Sequence, residues 1–96
     1  MDPTLTRTLD MLRTAQDALR SEMEVWSLAR TVDEARLGHL REAARSFQEQ
    51  AHSVLVTMAY QDTPEALQEE VEALVSGFGE VVGQIEAVLA TGRRGR

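Results

Sequence analysis

The sequence predicts an all-α fold, an antiparallel up-down-up three-helix bundle with coiled-coil-like heptad seams. Three observations predict it. Helix-start signals recur at near-equal spacing, at Asp2-Pro3, Thr31–Glu34 and Thr63-Pro64. Between them apolar residues repeat in alternating steps of three and four, the mark of a helix with one buried stripe. Folded back at the two turns, the three stripes align into layers in which large side chains face small ones.

The first helix is expected over about residues 3–30. Asp2 is its cap and Pro3 its first helical position, where a missing N–H costs nothing. Its seam reads Leu5, Leu9, Leu12, Gln16, Leu19, Met23, Trp26. The second is expected over about 32–61, with Thr31 and Glu34 forming a capping box and a seam of Leu37, Leu40, Ala44, Phe47, Ala51, Val54, Met58. This boundary lacks glycine and proline, and the heptad phase runs unbroken through Arg30 and Asp33. One continuous helix from Pro3 to Gln61 is therefore the competing arrangement. It would place two charges on the seam, whereas a turn places them in the connection, which favours the turn.

The third helix is expected over about 64–91. Thr63 caps it, Pro64 opens it, and Glu65 sits where the helix dipole favours an acid. Its seam is Leu67, Val71, Leu74, Phe78, Val81, Ile85, Val88. Gly92 is a natural stop, and residues 93–96 form a basic tail. Residues 1–92 thus make a single helical domain. Its layers run from Leu5/Met58/Leu67 at one end to Trp26/Leu37/Val88 at the other. Ala51 sits with Leu12 and Leu74, and Ala44 with Leu19 and Val81. Gln16 is the one polar member, opposite Phe47 and Phe78, and reads as a register-setting contact or an amide reaching the bundle edge.

Composition bounds the function. The chain of 96 residues suits one small domain, and 43% apolar with 27% charged residues is a globular balance. The absence of cysteine excludes disulfides, thiolate metal sites and thiol nucleophiles. No unbroken run of about 18 apolar residues occurs, and the first ten residues lack the pattern of a signal peptide, so a cytoplasmic protein is expected. Residues 62–91 hold seven acids and no base. Such an acidic surface argues against DNA or an anionic membrane as the partner.

Few residues suggest chemistry. Gly77-Phe78-Gly79-Glu80-Val81-Val82-Gly83 superficially resembles a dinucleotide loop, but its spacing is one residue too long and the heptad runs straight through it. Glu49 and His52 form an E-x-x-H pair, with Glu22 the best inward carboxylate of the first helix. In the expected register Glu22 lies near Arg41, about 13 Å along the axis from Glu49. A ferritin-like metal site would then have to be completed across a dimer. His39 and His52 fall on different faces, and no histidine has a nucleophile and orienting acid at readable spacing. No enzyme activity and no cofactor are expected.

The remaining signal is surplus apolar surface. Behind the seam of the third helix runs a row of small residues, Ala73, Ser76, Gly83, Ala87 and Ala90, interrupted by Glu80 and flanked by Gly79. The first helix has a second row that includes Met11, Ala18 and Val25. Val56 and Tyr60, in the apolar stretch "VLVTMAY", are surplus to the core. A solvated back face more often carries long polar side chains of high helix propensity. The expectation is a non-enzymatic helical interaction module, a homo-oligomeric adaptor, chaperone or inhibitor with an acidic third helix. Its partner would be itself, most simply as a dimer, or another helical protein.

Overall fold

A computed structural model describes residues 3–61 and 63–94, with side chains described through Thr91. It is a three-helix bundle: α1 (Pro3–Leu28), α2 (Glu34–Tyr60) and α3 (Glu65–Arg94). The molecule measures 53 × 19 × 18 Å. A single helix through residues 3–60 would be about 87 Å long, so the chain does reverse between α1 and α2. The cap expected at Asp2 lies outside the described residues.

Every seam position is buried or half-buried. Phe78 is fully enclosed at the centre and stacks on Phe47 with ring centroids 5.7 Å apart and planes inclined at 22°. That contact fixes α2 against α3 in the layer order expected, because it joins the central members of the two stripes. Helices α2 and α3 form the closest pair, and α1 lies more on α3 than on α2. At the far end the core passes from Val88, half-buried, to Leu89, which is buried. A straight helix with 3.6 residues per turn drifts about 20° per heptad against a strict seven-residue repeat, so after three heptads the next residue takes over.

The helix ends differ from expectation in three places. The N-cap of α2 is Asp33, not Thr31: its Oδ1 accepts from the Arg36 N–H at 3.1 Å. Aspartate caps as well as threonine does, and the later start leaves residues 29–33 to carry the reversal. At α3, Pro64 stands just ahead of the helix, its carbonyl accepting from the Leu67 and Gln68 N–H groups. The Gln68 side chain donates to the Thr63 carbonyl at 3.0 Å. Finally, α3 continues through Gly92 to Arg94. No described glycine takes a positive φ, so Gly92 lacks the left-handed conformation that would stop the helix.

α3 is the most apolar helix. Within Glu65–Thr91 an 18-residue window reaches a mean hydropathy of 1.4, enough by length and composition for a membrane span. A third of that window is buried inside the bundle, where it supplies the core.

Candidate functional site

Gly77, Gly79 and Gly83 of α3 have separate explanations. A Cβ on Gly77 would overlap the Gln16 side chain, with its Cδ and Oε1 each at 2.7 Å. Gln16 is buried and its Nε2 donates to the Leu74 carbonyl at 3.0 Å. A Cβ on Gly79 would come within 2.9 Å of Gln48 Nε2, which donates to the Val75 carbonyl at 3.2 Å. Each of these carbonyls also accepts the intrahelical bond from four residues on. Its second lone pair is open to a side chain because the glycine nearby carries nothing to cover it. Glutamines from α1 and α2 therefore clamp α3 from two sides, at the level of the phenylalanine stack. Gly77 and Gly79 serve packing within the chain. Gly83 does not: it is exposed, with nothing within 4 Å of an added Cβ.

Around Gly83, the other members of the row, Ala73, Ser76, Ala87 and Ala90, are all exposed. Glu80 interrupts them and reaches Arg20 of α1 at 3.6 Å. Arg13 pairs with Glu70 at 2.6 Å and Arg45 with Glu86 at 3.1 Å, so ion pairs tie α3 to both neighbours. Glu65, Glu69 and Glu72 are exposed and make no ion pair among the described residues, leaving the N-terminal half of α3 as the acidic part of the surface.

The surplus residues of α1 and α2 do not join this row. Met11, partly exposed, sits in a shallow groove with Glu49 and Val54 of α2. Ala18 is exposed, and Val25 is 66% exposed near the α1–α2 turn. Val56 and Tyr60, the latter 88% exposed, lie near the C-terminal end of α2, at the opposite end of an antiparallel bundle. The α1–α2 turn and the α3 row do meet at one place. Ala29 and Val32 share an open cavity of about 590 Å³ with Ala87, beside Trp26 and Arg30. Sequence spacing gave no sign of it, because it forms where a turn crosses the end of another helix.

The metal candidates are not assembled. Glu49 and His52 are exposed. Glu22 pairs with Arg36 rather than Arg41: Arg36 Nε and Nη2 donate to its two oxygens at 2.8 and 2.9 Å. Among the described residues no three histidine or acidic side chains gather as a cation site. The hydrogen bonds that Arg36 donates to Glu22, and then the Glu22 charge, raise the Arg36 pKa above its ordinary value. A raised pKa adds stability below the unfolded value that is lost only above the folded one. Both lie far into the basic range, so this shift brings no pH dependence near neutrality.

Comparison with known protein families, with curated proteins and with solved structures found no match.

Proposed function

We propose that the chain is a non-enzymatic helical interaction module that pairs with a second copy of itself through the outward face of α3. The observation that supports this reading is the exposed row Ala73, Ser76, Gly83, Ala87, Ala90 on the most apolar helix of the bundle. With Gly77 and Gly79 explained by glutamine contacts, Gly83 is a helix-weakening residue of α3 that no contact within the chain requires. Small side chains let two helices approach at the short end of the usual 8–10 Å separation. Glu80, the residue that interrupts the row, reaches toward Arg20 of α1 at 3.6 Å.

Charge favours an antiparallel pairing. The acids Glu65, Glu69 and Glu72 occupy the start of α3, while the sequence beyond Thr91 holds three arginines and no acid. Two antiparallel copies set one against the other. Gly83→Leu tests the reading by sedimentation velocity with far-ultraviolet circular dichroism. The variant is expected to shift the association midpoint to higher concentration by tenfold or more with unchanged helix content. If Gly83 faces water alone, the same variant leaves the sedimenting mass unchanged and stabilises the fold by about 0.5–1 kcal/mol.

A further inference from the structure

The cavity at the α1–α2 turn carries a second inference, although Ala87 belongs both to its lining and to the α3 row. Its volume of about 590 Å³ falls in the range of small-molecule sites. Trp26, Val32, Ala87 and Val88 give it apolar walls. Two hydroxyls on its lining are already engaged: Ser27 donates to the Met23 carbonyl at 2.8 Å and Thr91 to the Ala87 carbonyl at 2.9 Å. Two donors are not. The indole Nε1 of Trp26 is buried without a hydrogen-bond partner, which is uncommon because an unmet buried donor forfeits its hydration for no return. Arg30, also on the lining, makes no ion pair among the described residues. Glu34 lines the cavity too, but it is engaged by a neighbour within the chain.

We propose that this cavity binds a small amphipathic carboxylate, its hydrocarbon part against Trp26, Val32, Ala87 and Val88 and its head group on the Arg30 side. The carboxylate is an acceptor with no proton to place, and it answers the free guanidinium of Arg30. A neutral apolar molecule would leave Arg30 unmet, and a cation would face it.

Decanoate is a suitable probe, and Trp26, the sole tryptophan, reports its own site. Isothermal titration is expected to show saturable binding of one decanoate per chain, with a matching shift in Trp26 emission. Arg30→Gln, at an exposed position outside the core, should weaken binding at least tenfold with the circular dichroism spectrum unchanged. Trp26→Phe replaces the indole by a smaller ring, trimming the apolar wall and removing the N–H, and should weaken it several-fold by titration calorimetry. 1-Decanol, with the same chain and no charge, should bind at least tenfold more weakly than decanoate. Absence of saturable binding up to millimolar decanoate overturns the proposal. So does binding that survives both substitutions, or decanol binding as tightly as decanoate, since either would mean adsorption to apolar surface. Gly83→Leu is expected to bind decanoate as the native chain does, so failure of the pairing reading and failure of this one are separable.

Discussion

Replacing glycine by alanine inside a helix normally stabilises it by about 1 kcal/mol, and two glycines of this bundle should respond with opposite signs. At Gly38, in α2, an added Cβ meets nothing within 4 Å. Gly38→Ala should therefore yield the full gain, about 1 kcal/mol. At Gly77 the same methyl overlaps the Gln16 amide. Gln16 must move, and its buried bond to the Leu74 carbonyl is lost or distorted. Overpacking costs about 1–3 kcal/mol and a lost hydrogen bond about 1. After the helix-propensity gain is subtracted, Gly77→Ala should destabilise by about 1–3 kcal/mol. Urea denaturation followed by circular dichroism measures both, and for a domain of this size each kcal/mol moves Tm by about 4–8 °C. A double-mutant cycle isolates the cause. In a Gln16→Ala background the clash is gone, so Gly77→Ala should turn neutral or stabilising, with a coupling energy of about 2 kcal/mol. If Gly77→Ala stabilises as much as Gly38→Ala, the glutamine clamp does not exist.

Phe78→Ala empties the centre of the core beside Phe47 and should cost about 3–5 kcal/mol in the same denaturation experiment; a loss below 1 would mean the layers are misaligned. At the start of α2, Asp33→Ala should cost about 0.5–2 kcal/mol and Thr31→Ala under about 0.5, since the observed cap is Asp33. The reverse order would restore the capping box at Thr31.

The architecture was legible in the sequence because it depends on periodicity, which survives small errors of position. Leu5 through Trp26, Leu37 through Met58 and Leu67 through Val88 all point inward, and pairing Phe47 with Phe78 follows from stacking the stripes in order. Helix ends were less legible. Thr31 and Asp33 are both competent caps, and the choice depends on how many residues the reversal needs, which is a property of the whole bundle. Gly92 permits a left-handed stop without requiring one. The ion-pair partner of Glu22 is Arg36, which the axial register, placing Glu22 near Arg41, did not single out. The glycines were read as one group on the strength of their spacing. Only side-chain contacts separate Gly77 and Gly79, which admit Gln16 and Gln48, from Gly83, which faces outward. A clue to Gln48 was present, since it follows Phe47 and so borders the same layer as Gly79. The cavity beside Trp26 was not legible at all, because no periodic pattern reports on where a turn meets a helix end.

Pairing through the outward face of α3 is tested most directly by a distance between copies. The chain has no cysteine, so Gln84→Cys gives a single attachment point for a spin label. Gln84 is exposed and adjoins Gly83 without belonging to the row. With paired helices about 8–10 Å apart, and allowing for the label arms, double electron-electron resonance should give a narrow distribution within about 30 Å. The same label placed at Gln50 on α2, away from the row, should give a longer and broader one. A Gln84 sample with no dipolar signal between copies, at concentrations where the native chain sediments above its 10.7 kDa mass, would contradict pairing through this face.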